Sequence, residues 1–132
     1  MKKIYLFIII SLLILTGSCS FILPEGTISI VSVTPNTGLT DNTLTAFTIE
    51  LEYTLNNTTQ GEIMVGFNTG DTVNNYSMAV AAIVNEGSGT YTYNVSETTK
   101  DWGIEGDFTV GADIVSYNSY SSLGSDLYIL TF

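Results

Sequence analysis

The sequence predicts an all-β domain, a sandwich of about seven antiparallel strands, and three observations carry that expectation. Residues that favour a pleated, half-buried surface are abundant: 18 Thr follow Ser18, in a chain with eight Tyr and many Val and Ile. Apolar and polar residues alternate with period two over several short runs, which places one set on a dry face and the other in water. Clusters of Asn, Gly, Thr and Ser separate the runs, mostly at intervals of about 10 to 16 residues, close to the rhythm of a β sandwich or barrel. Beyond the N-terminal segment there is no stretch of helical period, no internal repeat and no heptad.

Each strand has its own justification. Thr27–Thr34 reads as the first. In Leu44–Leu55, Phe47, Ile49, Leu51, Tyr53 and Leu55 share one face while Thr48, Glu50, Glu52 and Thr54 share the other. Glu62–Asn68 repeats the pattern with Ile63, Val65 and Phe67 inward. Tyr76–Val84 is an apolar run whose three Ala would also suit a short helix; we read it as a strand. Thr90–Ser96 aligns Tyr91, Tyr93 and Val95, and Asp107–Ser116 aligns Phe108, Val110, Ala112 and Ile114. Asp126–Phe132 closes the set. Turns are expected at Pro35–Gly38, Asn56–Gly61, Asn68–Asp71, Asn85–Gly89 and Ser119–Ser125, where Asn and Gly tolerate the backbone angles that turns require.

The N-terminus is of another kind. Met1–Lys3 is a short positive segment, and Ile4–Leu15 is a run of 12 mostly apolar residues, too short for the roughly 20 that a spanning helix needs. Thr16, Gly17 and Ser18 then precede Cys19, the single cysteine. This run resembles the signal and lipobox of bacterial lipoproteins, in a looser, Bacteroidetes-like form with Thr16 where Leu is commoner. The resemblance implies a signal helix over residues 1–18, diacylation of Cys19, a short tether over 19–26 and a folded domain over 27–132. Lipidation would also account for an unpaired thiol in an exported chain. With Ser20 after the cysteine, the enterobacterial sorting rule implies the outer membrane of the cell envelope. Ordinary signal-peptidase cleavage, giving a soluble secreted protein, is the alternative.

The domain itself resembles the immunoglobulin-like and fibronectin-III-like sandwiches of bacterial surface proteins. The likeness rests on Ser32-Val33-Thr34-Pro35 closing a first strand, Phe47–Tyr53 as a B-like strand and Gly106–Ala112 as an F-like strand. Trp102 departs from it, standing just before the F-like strand. Phe108 departs too, near where a tyrosine corner would place its Tyr.

Charge excludes several functions. There are 13 Asp and Glu against three Lys, with no Arg and no His, and Lys2 and Lys3 precede the domain. No basic surface is left to neutralise phosphates, so nucleic acid is not an expected partner. Without His there is no imidazole base and no Ser-His triad, and no enzyme is expected. Glu50 and Glu52 have the right spacing for a carboxylate pair, but on an outer sheet face they read as solvated charges that discourage aggregation. Asp101, Glu105 and Asp107 surround Trp102 and form the one candidate for Ca²⁺, although no alternating acidic run supports it. Otherwise no cofactor is expected. Trp102, Tyr117 and Tyr120 are the candidates for stacking on a glycan or contacting a protein partner. Asp71-Thr72-Val73 resembles a Bacteroidetes O-glycosylation acceptor, with Thr72 modified. The expected role is therefore non-catalytic, binding or structural, at a membrane held through the lipid; the alternative is a carbohydrate-recognition or adhesion module.

Overall fold

The computed structural model describes residues 22–132; the signal segment and Cys19 lie outside them. The chain forms five strands, β1 (Gly26–Thr34), β2 (Leu44–Phe67), β3 (Ser77–Thr98), β4 (Phe108–Ser116) and β5 (Ser122–Leu130), with one 3₁₀ turn at Gly103–Glu105. Every pairing is antiparallel. The ambiguous segment after Tyr76 is strand, the start of β3.

Three of the five strands differ from expectation: β5 begins at Ser122, inside the turn expected at Ser119–Ser125, and ends at Leu130; β2 and β3 differ more. The turns expected at Asn56–Gly61 and Asn85–Gly89 are not chain reversals, because β2 and β3 run through them as strands of 24 and 22 residues. The ladder is interrupted there instead. Leu55 pairs with Gly87 and Gln60 with Asn85, so four residues of β2 face Glu86 alone. The excess residues bend the pair, as bulges do. Asn57 (φ 56°) and Gly87 (φ 125°) take the left-handed angles the bend needs. Asn57 N–H donates to Glu86 Oε1 at 3.0 Å across it.

The corner divides the sheet into two layers. On one side, Leu44–Leu55 lies between β1 and the Gly87–Thr98 half of β3. On the other, Gly61–Phe67 lies between the Ser77–Val84 half of β3 and β4, with β5 beyond. Counted by layer, β1, β4, β5 and the two halves each of β2 and β3 make seven segments of an antiparallel, curled, sandwich-like sheet.

The inward side chains are those the alternation selects. Phe47, Ile49, Leu51 and Leu55 from one layer meet Ile63, Val65, Phe67, Val110 and Ile114 from the other. Tyr53, Tyr91, Tyr93 and Val95 flank them, partly buried. On the outer side of the second layer Glu62 is only 7% exposed, while Ile83, Leu127 and Ile129 there are exposed. At Gly66 a Cβ would lie 2.3 Å from the carbonyl oxygen of Ser77, so the backbone of β3 leaves no room for a side chain at that position.

The two sides of the molecule differ. β1 packs against β5, and Ile30 N–H, beside a register shift in β1, donates to Asp126 Oδ2 at 2.7 Å. Below it, Thr131 N–H bonds Asn36 O at 3.0 Å and Leu39 N–H bonds Thr131 O at 3.2 Å. On the opposite side, β3 pairs with β2 alone among the described residues.

Candidate functional site

The loops at one end of the layers converge on Asn68, the residue that follows β2. Its side chain is 1% exposed and makes three hydrogen bonds: Nδ2 donates to Val73 O (2.9 Å) and Asp107 O (2.7 Å), and Oδ1 accepts from Thr109 N–H (2.8 Å). Its backbone carbonyl accepts the indole N–H of Trp102 at 3.0 Å. One amide thus ties the β2–β3 loop, the segment before β4 and the first turn of β4 together. A buried amide satisfied on every polar atom fixes these loops where an apolar residue would leave them free. Tyr76 adds a strap, its hydroxyl bonded to Thr109 Oγ1 over the outer face.

Thr99 performs the same task beside it. Its hydroxyl oxygen lies within bonding reach of Thr40 O and of Thr43 O (3.0 Å) and accepts from Thr43 N–H (3.2 Å). The backbone of Asn42 also bonds Thr99 O at 2.9 Å. Asp41 Oδ1 accepts from Asp101 N–H at 2.7 Å, joining this loop to the one that carries Trp102.

Trp102 is therefore a core residue, 7% exposed, with its N–H occupied and Lys100 Nζ 3.8 Å from the ring centroid. This corrects the expectation that it presents a ring to a ligand. The segment before β4 must be tied to the sheet, and the indole does so by filling the core edge. Tyr117 and Tyr120 stand at the other end of β4, in the turn to β5, 38% and 68% exposed. The structure brings those two together and separates both from Trp102.

The acidic candidates also come apart. Among the described residues no three His, Cys, Asp or Glu are grouped closely enough to hold a metal ion. Asp101 Oδ1 accepts from Gly103 N–H at 2.9 Å, and Glu105 and Asp107 are exposed. A polar depression of about 520 Å³ lies nearby, lined by Asp41, Glu97, Lys100 and Asp101 among others. Glu50 and Glu52 are exposed on the outer face of β2, above a depression of about 220 Å³. Glu50 Oε2 accepts from Ser32 Oγ at 2.9 Å, the bond of a solvated sheet face. Thr72 is exposed in the β2–β3 loop. Cys19 is outside the described residues.

Asn68 and Thr99, which organise this end, read from sequence only as turn and strand-end residues. A buried Asn and a surface turn Asn carry the same local signature, so periodicity gives no means of telling them apart.

No family model, curated protein or solved structure matches this chain. No helix among the described residues is long and apolar enough to cross a membrane.

Proposed function

We propose that this chain is a lipoprotein of a bacterial cell envelope, with an N-terminal signal, an acylated Cys19 and a non-catalytic domain of binding or structural role. The observation that carries the reading is the order of the first 19 residues, with a basic start, a 12-residue apolar run, three small residues and then the only cysteine. β1 begins at Gly26, so a short segment separates Cys19 from the domain. Two or more acyl chains, at about 0.8 kcal/mol per buried CH₂, give stable attachment where one is marginal. With 12 of the 13 side-chain carboxylates and Lys100 as its single cationic side chain, the domain is repelled by anionic headgroups and stands off the surface. The outer membrane is the proposed location.

The domain is read as an immunoglobulin-like sandwich of the fibronectin-III kind. What supports this is the grouping of strand segments, with three in the β1 layer and four in the β5 layer.

The test is the intact mass of the protein purified from its membrane, alongside fractionation of wild type and Cys19→Ser. A mass equal to residues 19–132 plus two or three acyl chains, with Cys19→Ser leaving the membrane fraction, is expected. An unmodified mass starting near Ser20 would overturn the anchor and leave a secreted domain.

A second reading, recognition of a carbohydrate, is favoured by the paired exposure of Tyr117 and Tyr120 in one turn. Since Trp102 is buried, the readout is glycan binding lost in a Tyr117→Ala, Tyr120→Ala double variant.

A further inference from the structure

The open edge of β3 is the feature that the proposed function leaves unused. Sheet edges are normally blunted by charge, proline, a bulge or a covering element, because their free N–H and C=O groups template another strand. β1 and β5 cover each other, with Asp126 occupying the N–H of Ile30. The Ser77–Asn85 half of β3 is blunted by a register shift at Ala81, whose carbonyl accepts the hydroxyl of Tyr91 at 2.8 Å. Among the described residues the other half has none of these devices. From Gly87 to Thr98 the register with β2 is unbroken, and Gly87–Ser96 contains neither proline nor a charged residue. That is a straight edge of about 40 Å in a strongly acidic chain.

We propose that this edge pairs with the same edge of a second copy, antiparallel and centred on Tyr93, so that the β1 layers of two molecules join into one sheet. The argument for a second copy is the symmetry of the segment about Tyr93. In that register Tyr91 meets Val95 on the core face. On the wet face Thr92 meets Asn94, Thr90 meets Ser96 and Ser88 meets Thr98. Hydroxyl and amide residues thus face each other across the outer side, and aromatic faces β-branched on the inner side; both kinds of cross-strand pair are favourable. The nearest carboxylate, Glu97, meets Gly89 and never another carboxylate. For a chain with 13 acidic residues and Lys100 as the one cation of its domain, an edge that meets itself without charge repulsion is the specific observation. The pairing does not depend on lipidation of Cys19.

One strand pair is a small interface, so association is weak and depends on concentration. It strengthens with salt, which screens the repulsion between the two acidic bodies. Sedimentation equilibrium of the full chain in density-matched detergent, over a hundredfold range of concentration, reads this directly. The expected result is a protein mass rising from one chain towards two, more steeply at higher salt. A mass of one chain throughout overturns the proposal.

Two double variants test the register. Position 92 of each copy faces position 94 of the other, so T92K/N94K sets ammonium against ammonium twice; two like-charge pairs weaken the dimer about tenfold. T92K/N94E makes both contacts attractive and restores it. Within each monomer position 92 sits opposite Glu50 and position 94 opposite Thr48, whose hydroxyl donates to Asn94 Oδ1 at 2.8 Å; both variants lose that bond, so equal thermal midpoints for the two show that a difference in dimerisation is not a difference in folding. If both variants dimerise equally, or neither differs from wild type, this edge is not the interface.

Discussion

The rings of Phe47 and Phe67 lie 4.9 Å apart, centroid to centroid, although both belong to β2 and twenty residues separate them. Fully extended, that stretch would span about 66 Å. The contact exists because the strand turns at Asn57 and returns over itself, so one strand supplies both walls of the core at that point. Phe108 continues the stack at 5.8 Å from Phe67.

Phe67 is therefore the residue through which the layers hold each other. Phe67→Ala is expected to cost about 3–5 kcal/mol, the range for deleting a buried aromatic ring. Phe67→Leu should cost clearly less. Urea titration followed by far-UV circular dichroism measures both, and equal losses would place the contribution elsewhere.

Asn68→Ala removes three side-chain hydrogen bonds, leaves Thr109 N–H buried without a partner and takes the Asn68 donor from the carbonyls of Val73 and Asp107. Each orphaned group costs about 1–3 kcal/mol, so the substitution should lower stability more than truncating any exposed Asn, such as Asn118. Because Trp102 bonds the Asn68 carbonyl, its emission should also shift to the red. Unchanged emission with unchanged stability would mean that the loops do not need the amide.

Gly66 and Gly87 give a contrast between space and backbone angle. Gly66→Ala drives a methyl into the backbone of Ser77, so part of the β2–β3 pair must separate, with a loss above about 2 kcal/mol. Gly87→Ala meets open space and has only an unfavourable φ to bear; about 1 kcal/mol is expected. Thermal melts of the two variants should rank in that order.

Lys100 covers one face of Trp102. Lys100→Met keeps much of the aliphatic stem and removes the ammonium, which should cost about 0.5–1 kcal/mol if the cation–π contact contributes as in other exposed pairs. The measurement is denaturant stability at low and high salt, where the deficit should shrink at high salt only modestly, since the contact is short.

Most of the strand faces were legible because burial follows period two without help from the rest of the fold. Phe47 through Leu55 and Phe108 through Ile114 point where the alternation places them. The corners were not legible. Asn56–Gly61 has the composition of a turn, and only its partner, shorter by three residues between the same two pairs, makes it a bend within a ladder. Pairing is a property of two segments, and a single sequence pattern does not contain it. The burial of Glu62 was not legible for a related reason: it follows the polar beat of β2, yet in the fold it is only 7% exposed. At the candidate site, Trp102 stands in a loop segment, where the sequence alone leaves a core residue and a ligand platform both open. Its burial comes from Asn68, 34 positions earlier in the chain.

The hairpin of β2 and β3 has a consequence for how the molecule is made. Phe67 and Ser77 close it around the short segment from Asn68 to Tyr76, and from there to Leu44 and Thr98 the rungs follow one another except at Ala81 and across the corner at Asn57. Closing a short loop first and zipping outward keeps the entropic cost of each step low. A chain of this connectivity is expected to commit both layers in one early event, with β1 and β5 arriving last from the distant ends. Folding kinetics would carry the signature: substitutions at Val65 and Tyr93 should slow refolding, whereas those at Ile28 and Leu130 should mainly hasten unfolding.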